Sequence, residues 1–147
     1  MKTTKTIITI IVALFFSMRA FAQNTPYFAT DGTAIRGYDP VAYFAEQKPV
    51  EGKKELAYNW NGSQWLFSSQ ANLDSFKANP TQYAPQYGGY CAYGVSENHK
   101  SPTDPNAWTI IDGKLYLNYS PKVKTLWSKD IPTRIQKANE WWPALNQ

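Results

Sequence analysis

The sequence predicts an α+β fold: a small single domain with two β-hairpins and several short α-helices. Three observations carry this expectation. Asn61-Gly62 and Asp112-Gly113 are each flanked by strand-like runs. Ser, Asp and Pro stand at the starts of segments with helical apolar spacing. The ten prolines are spread along the 147 residues instead of clustering as a linker, and there is no internal repeat or low-complexity stretch.

Residues 1–22 read as a secretory signal peptide. Lys2 and Lys5 precede an apolar run over residues 7–16 that is too short to span a bilayer, and Ala20-Phe21-Ala22 supplies a small-x-small cleavage pattern. Residues 23–34, polar with Pro26 and Gly32, are expected to be an exposed N-terminal segment, and residues 35–145 the domain. Asp39-Pro40 opens a short helix: the aspartate caps free backbone N–H groups and proline fits the first turn. Residues 56–60 and 64–67 form the first hairpin around Asn61-Gly62, since both turn residues tolerate positive φ.

Ser69 caps a helix in which Leu73 and Phe76 share a face, and Pro80 ends it. Residues 108–111 and 114–119 form the second hairpin around Asp112-Gly113. Ser120-Pro121 opens a helix carrying Val123, Leu126 and Trp127. Asp130 and Pro132 open the last one, with Ile135, Ala138, Trp141 and Trp142, which is expected to stop at Pro143. Aromatic residues make up 16% of the chain, and their alternation with polar residues in the strands fits core packing better than a stacking platform for sugars or bases.

The formal charge of +4 belongs largely to the leader, because Lys2, Lys5 and Arg19 leave with it. The remainder is close to neutral and has no basic stripe, so nucleic-acid binding is not expected. Nor is stable membrane insertion after cleavage. The expected location is the periplasm or the exterior.

Chemistry-bearing residues are sparse. Cys91 is the single cysteine, within Tyr87-Gly88-Gly89-Tyr90-Cys91-Ala92-Tyr93-Gly94, and His99 is the single histidine. An exported thiol without an internal partner is buried, binds something, reacts, or pairs with another molecule. As a packed side chain it is a small hydrophobe. As a ligand it suits a soft ion such as copper or zinc. No paired carboxylates, phosphate loop or nucleophile–base constellation is evident, and no catalytic residue is assigned.

The runs 37–44 (Gly-Tyr-Asp-Pro-Val-Ala-Tyr-Phe), 65–69 (Trp-Leu-Phe-Ser-Ser) and 76–83 (Phe-Lys-Ala-Asn-Pro-Thr-Gln-Tyr) resemble the YHS domain. Residues 87–94 and 112–119 are similar to its exported bacterial branch, and the resemblance covers about residues 35–145. It implies a small α+β module related to TRASH-type metal-binding domains. It also implies three metal-binding cysteines at places that here hold Ala42, Ser68 and Asn72, so that ligand set does not transfer.

The sequence thus favours an exported, non-enzymatic YHS-domain protein that binds a metal ion or small ligand near Cys91. Tyr90, Cys91, Tyr93 and Asp39 are the candidate ligand-binding residues, and Cys91 and His99 the candidate metal ligands. The alternatives are a metal-free interaction module in which Cys91 and the aromatics are core, and a thiol redox partner.

Overall fold

The computed structural model describes residues 26–147, so the expected signal peptide and cleavage point lie outside the described residues. In chain order the elements are β1 (Ala29–Thr30), β2 (Thr33–Ala34), α1 (Ala42–Ala45), β3 (Lys53–Trp60), β4 (Ser63–Phe67), α2 (Gln70–Ala78), α3 (Pro80–Tyr83), α4 (Ala92–Ser96), β5 (Asp104–Ile111), β6 (Lys114–Asn118), α5 (Pro121–Trp127) and α6 (Ile131–Leu145). This is a small α+β domain. One sheet has the order β1-β2-β4-β3, and β5-β6 form a separate hairpin.

Both main hairpins turn where the dipeptides require. Asn61 and Asp112 sit at φ 47° and 51°, each followed by a glycine also in the left-handed region, the geometry that matches the strand twist. The registers follow: Trp60 faces Ser63 and Tyr58 faces Trp65 in one, Ile111 faces Lys114 and Thr109 faces Tyr116 in the other. Both first strands are longer than expected, and in each a register shift explains it: between Lys53 and Ala57, and between Asp104 and Trp108. An irregularity breaks the period-2 alternation by which a strand is recognised.

The helix starts behave as capping chemistry dictates. Ser69, Ser120 and Asp130 accept bonds from the backbone N–H groups of Asn72, Val123 and Thr133. Pro80 ends α2 and opens α3. Two expectations need correction. From Ala29 onward, the segment taken as an exposed lead-in is a short hairpin that joins the sheet through a parallel bridge between Thr33 and Gln64. The last helix continues through Pro143 to Leu145; so near the end, the absent proline N–H forfeits one bond of a closing turn.

The interior has two apolar clusters. One gathers Tyr43, Trp65, Phe67, Phe76, Leu115 and Leu117; the other gathers Tyr87, Ala92, Val95, Tyr116, Trp127 and Ala138. Strand β6 divides them, because successive side chains point to opposite faces. Most of the aromatics are therefore packing residues, with Trp65 and Trp127 fully buried. Among the described residues, no helix is long and apolar enough to cross a membrane.

Candidate functional site

Asp39 is fully buried where α1, the end of β4 and the start of α2 meet. Its Oδ1 accepts the backbone N–H groups of Val41 (2.8 Å) and Ala42 (3.2 Å). Its Oδ2 accepts the Ser68 N–H (2.8 Å), the Ser68 hydroxyl (2.7 Å) and the Asn72 side-chain amide (2.7 Å). This ring of donors suits an acceptor-only carboxylate and leaves its oxygens committed to the protein. Asp39 is thus a structural hub.

Cys91 is also a hub, 2% exposed. It caps α4: its sulfur accepts the Gly94 N–H (3.4 Å), accepts the Tyr119 N–H (3.2 Å) and donates to Asn118 Oδ1 (3.5 Å). Burial pushes the thiol pKa up, against the pull of the backbone N–H groups of Gly94, Tyr119 and Tyr93. This is the reverse of an activated cysteine. Asn118 Oδ1 also accepts the Tyr93 N–H (3.0 Å), while its buried Nδ2 has no partner among the described residues.

A cavity of about 260 Å³ lies beside the sulfur, lined by Cys91, Tyr93, Gly94, His99, Ser101 and Tyr119, with Val123 closing it. Of the expected site residues, the structure brings together Cys91, Tyr93 and His99. His99 is exposed and sits near Gly94, on the cavity wall. Tyr90 is elsewhere, against Phe28 and Trp142 with the Lys100 ammonium over its ring. Tyr93 is clamped by Arg134, whose guanidinium lies 4.2 Å from the ring centroid and also pairs with Glu97 and Ser96.

Residues 41–87 match the family model described as YHS domain. The chain carries a YHS domain. The match takes in α1, β3, β4, α2 and α3 and stops before Cys91, His99 and the second hairpin, a shorter span than the 35–145 expected. No curated protein and no solved structure matches the chain.

The metal that YHS resemblance implies can be tested against the residues present. Ala42 offers a backbone N–H, and Ser68 and Asn72 offer hydrogen-bond donors, all three to Asp39. These are not soft-ion ligands, and the one carboxylate among them is saturated by donors. The YHS site as implied does not fit a metal. Among the described residues, no group of three or more His, Cys, Asp and Glu side chains is placed to hold one either.

Sequence reasoning missed a third region, next to the YHS match. Ile35, Arg36 and Gly37 run consecutively in the left-handed region at φ 41°, 58° and 79°. Ile35 and Arg36 have no conformational excuse for it, at a cost of about 1–3 kcal/mol each. The strain is held by Ile35 N–H to the Phe28 carbonyl (3.0 Å) and Gly52 N–H to the Gly37 carbonyl (2.8 Å). A second left-handed run, Tyr87-Gly88-Gly89, packs behind it: the Phe28 N–H donates to the Gly88 carbonyl (2.7 Å), and the Thr103 hydroxyl to the Gly89 carbonyl (2.7 Å). A Cβ at Gly88 would stand 1.9 Å from the Pro26 carbonyl oxygen. A cavity of about 480 Å³ opens at Arg36, with Tyr38, Thr103, Asp104, Asn106 and Tyr119 around it. The only sequence signal was Gly37, two residues before the helix start at Asp39.

Proposed function

We propose that this is an exported, non-enzymatic YHS-domain binding module that folds and works without a metal. The observation that carries this reading is the Asp39 carboxylate, whose partners include all three residues standing where the family resemblance places thiols. A buried anion and its ring of donors there cross-link α1, β4 and α2, the task a bound ion would otherwise perform. The signal-like sequence of residues 1–22 supports export. The raised pKa of the Cys91 thiol supports a packed, capping cysteine over a nucleophile or redox partner.

The test is metal analysis of untagged protein, with thermal melts in the presence and absence of EDTA. We expect no stoichiometric copper, zinc, iron or nickel and an unchanged melting temperature. One equivalent of tightly bound metal whose removal lowers that temperature would sink the reading.

A second reading, a soft copper or zinc ion or a small ligand at the cysteine, has one observation in its favour: Cys91 and His99 line the same cavity. It requires metal that is bound by the wild type and lost in both Cys91→Ser and His99→Ala.

A further inference from the structure

We propose that the groove at Arg36 binds a small carboxylate that also carries hydroxyl or ammonium donors. This deepens the reading of the chain as a binding module, and rests on it, by giving that module a site and a ligand class.

Arg36 is held in place and left unused. Its Nε–H donates to the Thr103 carbonyl (2.9 Å), and the guanidinium lies 5.3 Å from the Phe28 ring centroid. Its backbone is fixed in the left-handed run. Yet among the described residues neither Nη group has a hydrogen-bond partner, and the ion pairs are Lys48 with Glu46 and Arg134 with Glu97. Arg134 shows the contrast: its guanidinium is consumed by Glu97, Ser96 and Tyr93. A guanidinium anchored at Nε presents both Nη groups as a rigid fork, which matches a carboxylate bidentately. Little further ordering is required on binding, so more of the interaction survives as affinity.

The rest of the groove selects the ligand. Its volume, about 480 Å³, lies in the range of small-molecule sites. Asp104 lines it too, with Oδ1 fixed by the Asn106 backbone N–H (2.8 Å) and side-chain amide (3.2 Å). Asp104 has no ion-pair partner among the described residues. Its charge disfavours a multiply charged anion such as phosphate and favours a ligand whose donors face it. Tyr119, 57% exposed, and Tyr38, whose hydroxyl is turned to Glu51, give the ligand's body flat apolar walls. An α-amino acid or peptide terminus and a sugar acid both meet this description.

The test is an NMR titration of the mature chain with galacturonate, aspartate, propionate and phosphate at constant ionic strength. It follows the Arg36 Nε–H and the Asn106 and Tyr119 amides. We expect saturable shifts at all three with galacturonate or aspartate, and binding of propionate and phosphate weaker by about tenfold or more. Saturation by aspartate alone supports an amino-acid or peptide source, and by galacturonate alone a sugar-acid source. Arg36→Lys keeps the charge but loses the fork and should weaken binding about tenfold. Asn106→Ala, an exposed change that frees Asp104, should reduce the preference over propionate and serves if Arg36→Lys does not fold. The proposal is overturned by non-saturable shifts with both ligands, by shifts located elsewhere, by equal affinity for propionate, or by an unchanged affinity in whichever of the two variants folds. Metal analysis of the same sample reports separately on the metal-free reading.

Discussion

Asp39 and Cys91 occupy equivalent places in the two halves of the molecule and differ in the chemistry they use there. Each is buried, each accepts backbone N–H groups at the start of a short helix, and each reaches across to a distant segment: Asp39 to Ser68 and Asn72, Cys91 to Asn118 and Tyr119. The carboxylate gathers short, charge-assisted bonds of 2.7–3.2 Å, whereas the thiol makes long, weak ones of 3.2–3.5 Å. Hydrogen bonds to an ionised group are roughly twice as strong as neutral ones. The Asp39 half is therefore locked at a point, while the cysteine half depends more on apolar packing around its hub.

That contrast breaks most readily at Asp39. Asp39→Ala strands the donors of Ser68, Asn72 and Ala42 and should lower unfolding free energy by about 3–5 kcal/mol in urea denaturation. A loss below about 1 kcal/mol would mean the hub is not what holds α1, β4 and α2 together. Gly88→Ala is the next largest: it combines an unfavourable φ with a backbone collision at Pro26, and we expect a loss of about 2–4 kcal/mol by the same assay. Cys91→Ala should lose only about 1–2 kcal/mol, because a small apolar side chain largely replaces the thiol. If it lost as much as Asp39→Ala, the two hubs would be equal and the comparison wrong.

The smallest effect is electrostatic and concerns Cys91 alone. Its folded pKa is raised above the ordinary thiol value. The contribution of the protonated thiol is thus complete below that ordinary value and is lost as pH rises through the folded one. Wild type should lose stability with rising alkaline pH more steeply than Cys91→Ala. At neutral pH, iodoacetamide should label native protein far more slowly than urea-unfolded protein. Equal rates in the two states would place the thiol in solvent.

Much of the fold was legible because its signals are local. Asn61-Gly62 and Asp112-Gly113 set both hairpins, and Ser69, Ser120 and Asp130 set three helix starts. The hairpin at residues 29–34 escaped notice although Asp31-Gly32 carries the same turn dipeptide. Two-residue strands leave no alternation to read. Helix α4 was also missed, because its cap is a sulfur where an oxygen is usual. The candidate site was less legible for a physical reason. Pairing of Asp39 with Ser68 and Asn72 spans 29 and 33 positions, and that of Arg36 with Thr103 spans 67. No spacing rule reaches so far. The fixed pose of Arg36 is likewise a product of tertiary structure.

Strand β6 sends Leu115 and Leu117 toward one cluster and Tyr116 and Asn118 toward the other side. A party wall of this kind cannot be removed from one house alone. A slip of a single residue along β5 would thrust a phenol among the rings of Trp65 and Phe76 and leave leucine beside Cys91, spoiling both interiors at once. Loss of either interior exposes the face that the other requires, so heat should melt the whole chain in a single step.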